Sequence, residues 1–330
     1  MTQIITITKF LDQHLQGEHA LGLAAILSHI EQAVKKIAIT IDEGAIAGNM
    51  GSLDSENVQG EVQKTLDMLT NDIFVEALQA SGCIAGMVSE EVIHPISGTS
   101  DNGQYLLCFD PLDGSSNVNV NISVGTIFSV LKANSSQPEL ADFLQAGTEQ
   151  ICAGYALYGT STMLVLTTGQ GVNGFTLDKN INQFVLTHPH MQIPKDATEF
   201  AINMSNYRFW QAPIQNYIDE CLQGAEGDRD KDFNMRWVAS MVAEVHRILV
   251  RGGVFMYPSD VKNKSGKLRL MYEANPMSFI VEQAGGGAVT GSQRVLEVSP
   301  TGIHQRVPIM LGSKNEIDRI ASYHATKKRK

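Results

Sequence analysis

Between residues 21 and 42 apolar side chains recur every third or fourth position, at Leu23, Ile26, Leu27, Ile30, Val34, Ile37 and Ile41, which predicts an amphipathic helix. Residues 61–80 repeat the pattern with Val62, Leu66, Leu69, Ile73 and Leu78, predicting a second helix. Gly44 to Gly60, between them, is rich in Gly, Ser and Asn and reads as a mobile surface loop of lid or regulatory length. From Cys83 onward the pattern changes to short apolar runs, and strands are expected at 83–88, 104–109, 122–131, 153–159, 162–168 and 183–186. A Pro-bearing stretch from Thr187 to Pro194 marks the expected boundary between domains at 1–193 and 194–330. Beyond it helices and strands alternate. A helix is expected at 237–251 with Gly252 as its stop, and another between Pro276 and Gly285. Ser313-Lys-Asn-Glu316 reads as a capping box opening the last helix.

A chain of 330 residues, 43% hydrophobic and 18% charged, has an ordinary globular composition and is long enough for two domains. Its formal charge of −10 argues against a general nucleic-acid surface, and bound cations would supply the local positive charge a phosphorylated ligand needs. Cys83, Cys108, Cys152 and Cys221 are scattered, so neither a zinc site nor a disulfide framework is expected. Lys9, Asp12 and His14 interrupt the apolar start, and no run approaches 18 apolar residues; no leader and no membrane span are expected, with the cytoplasm as the default location.

The chemistry concentrates at Asp110-Pro-Leu-Asp113-Gly114-Ser115-Ser116, directly after the apolar run Tyr105–Phe109. Two acids three residues apart at a strand end suit one or two hard divalent cations, and Gly114 lets the following amides turn toward an anion. Taken alone, Asp-Gly-Ser reads equally as a turn. Glu90 and Glu91, after the strand Ile84–Val88, divide naturally into a metal ligand and a group that orients or deprotonates water, unless they are a solvated turn. Asp67 reads as a helix-surface acid, and Glu61 as a first-turn charge that meets the helix dipole. Glu273, framed by Met, Tyr and Ala before Pro276, reads as a buried ligand or a first-turn charge; Lys267 and Arg269 beside it suit a phosphate or an alternating strand surface. Gly169-Gln-Gly171-Val-Asn-Gly174 matches a dinucleotide fingerprint, but Phe175-Thr-Leu177 continues as a strand, so a hairpin turn is expected. His188, His190, His246 and His304 have no metal spacing and are read as structural or surface residues.

Together these segments resemble class I fructose-1,6-bisphosphatase over almost the whole chain. The resemblance is carried by Glu61-Val-Gln-Lys-Thr-Leu-Asp67, Ser89-Glu-Glu91, Phe109 to Asn117, Ser123-Val-Gly-Thr-Ile-Phe128, Ala153 to Gly159, Gly252-Gly253 with Tyr257-Pro258, and Gly266-Lys-Leu-Arg269 with Tyr272 to Met277. It implies an α/β fold with an α+β N-terminal half, layered as an α-β-α-β-α sandwich. The N-terminal domain would carry metal binding and regulation, and the C-terminal domain the sugar phosphate. It further implies a homotetramer and magnesium-dependent hydrolysis of the 1-phosphate, two or more ions per subunit, with manganese or zinc as substitutes. Glu90, Asp110 and the Leu112 carbonyl would hold one ion, and Asp110, Asp113 and Glu273 another. Gly114, Ser115 and Ser116, with Asp113, would face the departing phosphate; Asp67 and Glu91, with Glu61, would activate water. Asn203, Tyr257 and Lys267 would hold the sugar and its 6-phosphate, with Arg236 reaching in from a neighbouring subunit.

The chain departs from some members of the family: Glu61 replaces aspartate, and Trp237 a tyrosine that helps hold the 6-phosphate. Ala20, Gly22 and Ala24 replace Thr, Glu and Thr of AMP-inhibited members, and Gln104 and Lys132 replace Lys and Arg, while Tyr105 is kept. Weak or absent AMP inhibition is expected. A sedoheptulose-1,7-bisphosphatase or dual-specificity enzyme is the alternative, and a catalytically inactive metal- or sugar-phosphate-binding regulator is a third reading. Retention of Asp67, Glu90, Glu91, Asp110, Asp113 and Glu273 speaks against the last.

Overall fold

The structure is a computed structural model that describes residues 4–44, 46, 52–56 and 62–326. Helices α1 (Ile7–His14) and α2 (Ala20–Glu43) lead to a strand pair, β1 (Ser52–Glu56) and β2 (Val62–Lys64), and then to α3 (Thr65–Gln79). The expected helix at 61–80 therefore starts four residues late. Val62–Lys64 is drawn into an antiparallel pairing with Ser52–Glu56, and cross-strand bonds replace a first helical turn. That pairing also converts part of the expected 44–60 loop into strand; of the rest, only Gly44 and Ile46 are among the described residues.

Eight strands follow in one sheet: β3 (Ile84–Ser89), β4 (Ile96–Ser97), β5 (Tyr105–Asp113), β6 (Val124–Lys132), then, after a short helix α4 (Leu140–Phe143), β7 (Cys152–Tyr158), β8 (Thr162–Thr167), β9 (Val172–Asp178) and β10 (Gln183–Met191). Their order is β10-β9-β8-β7-β6-β5-β3-β4, antiparallel except for the β3–β5 pair. Gly169 and Gly171, both left-handed, form the β8–β9 hairpin turn, so the dinucleotide fingerprint is a turn as expected. Strand β10 runs through Pro189, which is tolerated because this is the sheet edge and the register slips there.

The second sheet is built from β11 (Glu199–Ala201), β12 (Asn234–Met235), β13 (Val254–Tyr257), β15 (Gly287–Val289) and β17 (Ile309–Gly312), with β14 (Leu268–Arg269) pairing β16 (Arg306–Val307) separately. Helices α5 (Ala212–Gln223), α6 (Met241–Arg251), α7 (Asn275–Gln283) and α8 (Lys314–Thr326) complete the chain. The expected helix at 237–251 begins only at Met241. Ala239 is left-handed at φ 61°, which no helix interior accommodates, and Ser240 caps the helix by accepting from the Ala243 amide. Helix α8 starts where expected, but Glu316 does not turn back as a capping box: its carboxylate accepts from Tyr217, Arg229 and Lys231.

Side-chain packing stacks these elements in five layers. Helices α1–α3 bury Phe10, Ile26, Ile30 and Phe74 against Tyr105, Leu107, Phe109 and Phe128 on one face of the large sheet. The opposite face, with Tyr155 and Val165, meets α6 and α7, whose other side covers Phe255 and Leu311 of the small sheet. Helices α5 and α8 close the far side over Phe200, Val254 and Met310. The α-β-α-β-α order matches the expectation from sequence. Strand β5 lies inside this stack with all nine residues buried, as continuous apolar runs predict for an internal strand.

Candidate active site

Residues i and i+3 of a regular strand point to opposite faces. Asp110 and Asp113 nevertheless converge, because β5 bulges between them: Asp110 pairs with Ile127 and Asp113 with Gly125, three steps on one strand against two on the other. Pro111 sits in that bulge, where the missing N–H costs no ladder bond, and its carbonyl accepts from Thr126 Oγ1 at 2.8 Å. Glu273 reaches the same point from the helical turn Leu270–Ala274 that leads into α7. One carboxylate oxygen from each of Asp110, Asp113 and Glu273 lies within 4.8 Å of the others, and all three residues are buried. Gly114 follows at φ 75°, opening the turn Ser115–Val120; a Cβ there would meet Ser240 Cβ at 2.8 Å, so only glycine fits.

Neighbouring elements bring the other acids. Glu90, just past β3, is tied by its amide to the Phe109 carbonyl at 3.2 Å. Its carboxylate pairs with Arg269 at 3.3 Å. Ser89 donates to Asn71 of α3 at 2.7 Å and accepts from the Glu91 amide at 3.2 Å, so the helix bearing Asp67 is tied to the turn bearing Glu91. Asp67, read from sequence as a surface acid, is buried.

Crowded buried carboxylates hold protons tightly. Burial raises Asp110 well above the usual range, and the charges of Glu90, Asp113 and Glu273 add to this. Burial also lifts Glu273, with Glu90 adding and Arg269 opposing. Asp113 rises only to about 6, because bonds from the Val242 amide and the Ser240 hydroxyl offset its burial. A dication entering this set would relieve the repulsion, and the donors are the hard oxygens that such a cation takes.

The acidic side chains line one cavity of about 580 Å³. It brings together Asp67, Glu90, Glu91, Asp110, Leu112, Asp113, Gly114, Ser115, Ser116, Asn203, Tyr257, Lys267 and Glu273. Two expected residues are not among them. Glu61 lies outside the described residues. Arg236 does not line the cavity; its guanidinium is half exposed, 3.9 Å from Glu199. Arg269, read as a phosphate ligand or a strand-surface charge, is no surface charge: it lines the same cavity and is buried as a partner of Glu90. Ala239, Ser240, Met241, Phe255 and Leu268 were missed. A serine directly before the apolar run Met241, Val242, Val245 was the available signal for a helix start that faces the site.

Buried acids at a strand end, followed by a glycine-turned row of amides, are the apparatus of a phosphoric monoester hydrolase. Family models for the fructose-1,6-bisphosphatase N-terminal and C-terminal domains match residues 5–189 and 193–325. The chain belongs to the class I fructose-1,6-bisphosphatase family. It is 61% identical over 308 residues to the class 1 fructose-1,6-bisphosphatase of Halorhodospira halophila, covering 91% of each chain. Among solved structures it superposes on Leishmania major fructose-1,6-bisphosphatase in holo form with a TM-score of 0.92 and 39% identity, over 98% of this chain and 99% of that one. The T-state structure of the same enzyme gives 0.87 at 38% identity, over 98% and 99%.

Proposed function

We propose that this hydrolase removes the 1-phosphate of D-fructose 1,6-bisphosphate with magnesium as its cation, and that AMP inhibits it weakly or not at all. The observation that carries the reading is the meeting of the Asp110–Asp113–Glu273 cluster and the Gly114–Ser116 turn in one cavity that Lys267 and Tyr257 also line. Glu90, Asp110 and the Leu112 carbonyl would hold one ion, and Asp110, Asp113 and Glu273 a second. When bound, magnesium supplies charge neutralisation at the phosphoryl oxygens and at the attacking and leaving oxygens.

The chain's own residues do the rest. Asp67 and Glu91 orient the attacking water and take its proton, with Glu61 assigned to the same step. The amides and hydroxyls of Gly114, Ser115 and Ser116 hold the departing phosphate. Asn203, Tyr257 and Lys267 hold the sugar and its 6-phosphate. Trp237 stacks on Phe255 with ring centroids 6.1 Å apart and completes that wall.

Support for a weak AMP response comes from α2. A Cβ at Gly22 would lie 2.4 Å from the Tyr105 ring, and the buried Tyr105 hydroxyl is bonded to His19 at 3.2 Å. Tyr105 thus fills the space a longer side chain at position 22 would claim, and Lys132 is paired with Glu18 at 3.4 Å. The half-exposed Arg236, outside its own chain's cavity, supports a homotetramer in which it completes a neighbour's site. The domain division near residue 193, a cytoplasmic location and a place in gluconeogenic or Calvin-cycle carbon flow belong to the same reading. The deciding experiment is phosphate release from fructose 1,6-bisphosphate with and without magnesium, repeated on Asp113→Ala and Glu273→Gln. Undiminished release by either variant, or release indifferent to magnesium, would overturn it.

A further inference from the structure

We propose that Glu244 is a positioning residue for sugar-phosphate binding: from a buried seat on α6 it fixes the strap Arg236–Ser240, whose Trp237, Ala239 and Ser240 wall the active-site cavity. The inference rests on the placement of the sugar end beside Trp237, Tyr257 and Lys267 proposed above.

The strap is fastened by hydrogen bonds at Arg236, Val238 and Ser240. The Arg236 amide donates to the Phe200 carbonyl at 2.8 Å, continuing the edge of the small sheet. Trp237 lies in an aromatic wall, 6.0 Å from the Tyr257 ring. The Val238 amide donates to Glu244 Oε1 at 2.6 Å, and the Val238 carbonyl accepts from Asn117 Nδ2 at 3.1 Å. Ala239 is left-handed, a conformation an L side chain keeps only when its neighbours over-determine it. Ser240 donates to Asp113 Oδ2 at 3.0 Å. One short segment therefore joins the sugar side of the cavity to its carboxylate cluster.

Glu244 is the centre of this fastening. Its side chain is 0% exposed, an expensive place for a carboxylate unless every oxygen is used. Oε1 holds Val238, and Oε2 accepts from Arg247 Nη2 at 2.8 Å and Nε at 3.3 Å. Arg247 also donates to Glu199, which pairs with Arg251 at 2.8 Å and lies 3.9 Å from Arg236. The same network thus bears on both ends of the pair Arg236–Trp237. A packing role alone would not need a fixed acceptor at the amide between Trp237 and Ala239.

The chain has two tryptophans, so a Trp210→Phe background leaves Trp237 as the sole indole reporter. In that background fructose 6-phosphate should change the Trp237 emission, which tests the sugar placement itself. Glu244→Gln keeps the volume but sets an amide N–H against one of two donors, Val238 or Arg247. The expected result is a shifted Trp237 emission, fructose 6-phosphate binding weaker by on the order of tenfold, and a matching rise in KM with kcat changed less than about threefold. Arg247→Lys, which removes the fork but keeps a charge, should move the same quantities by less. If fructose 6-phosphate alters the parent's emission but both variants bind it as tightly as the parent, with unchanged emission and KM, the positioning role is refuted. No response in the parent would instead overturn the sugar placement, and this inference with it.

Discussion

Asp113 Oδ2 accepts from both the Ser240 hydroxyl at 3.0 Å and the Val242 amide at 2.9 Å, so a carboxylate of the acidic cluster also caps α6. The helix N-terminus favours its charged form, and those bonds keep Asp113 less protonated than its buried neighbours. Ser240→Ala should remove the helix's own cap and one bond to Asp113 together. A stability loss of about 1 kcal/mol in urea unfolding is expected, with weaker magnesium binding by calorimetry; unchanged binding would separate the two roles of Asp113.

The acidic cluster sets a pH dependence whose sign follows from proton binding. Asp113 is held near 6, above its ordinary 3.8, and Asp110 is raised further. Between those values the folded, metal-free chain binds more protons than the unfolded one, so stability present below pH 3.8 is lost as the pH rises through about 6. For Asp110 and Glu273, both raised well above the ordinary range, the loss continues to higher pH. Thermal melts in EDTA should show Tm falling across that window, and added magnesium should restore it at pH 8 more than at pH 5. A flat metal-free profile would contradict the crowding.

Arg269 and Glu90 form a pair at 3.3 Å in which the guanidinium is buried and the carboxylate partly so. Removing the guanidinium takes away a positive charge that Glu90 meets beside Asp110 and Glu273. Arg269→Met should therefore cost roughly 3 kcal/mol and abolish turnover, measured by denaturant unfolding and phosphate release. If Arg269 instead held substrate phosphate, KM alone would change and stability would not.

Arg236 offers a test of assembly. Subunits carrying Arg236→Ala should bind substrate poorly, and subunits carrying Glu273→Gln should be inactive. Mixed assemblies should regain activity, because a subunit with an intact acidic cluster would borrow Arg236 from its Glu273→Gln neighbour. Mixtures no better than the separate variants would place Arg236 outside the neighbour's site.

The packing of Tyr105 on Gly22 gives a last expectation. Half-maximal inhibition by AMP should lie above the micromolar range. Gly22→Ala should destabilise the chain, because its Cβ would lie 2.4 Å from the Tyr105 ring. Inhibition by micromolar AMP in a standard assay would remove this reading.

Much of this was legible in one dimension. Burial of β5 follows from an unbroken apolar run, the α2 face from its helical spacing, and the β8–β9 turn from two glycines with a strand resuming at once. These are local properties, decided by sterics and by which side chains avoid water. The quoted segments likewise carried the acids and the family. The tertiary structure decided what depends on contacts between distant residues: the shortened helix after Lys64 depends on pairing with the strand Ser52–Glu56, and Glu316 is diverted by Arg229 and Tyr217. The pairing of Arg269 with Glu90 was not legible, because spacing reveals a charge but not its partner. Asp67 looked exposed because a helix face shows its neighbours only once α3 is tied to the end of β3 by Asn71 and Ser89. Convergence of Asp110 and Asp113 required a bulge whose existence is a matter of register between two strands, and register is settled by pairing across the sheet.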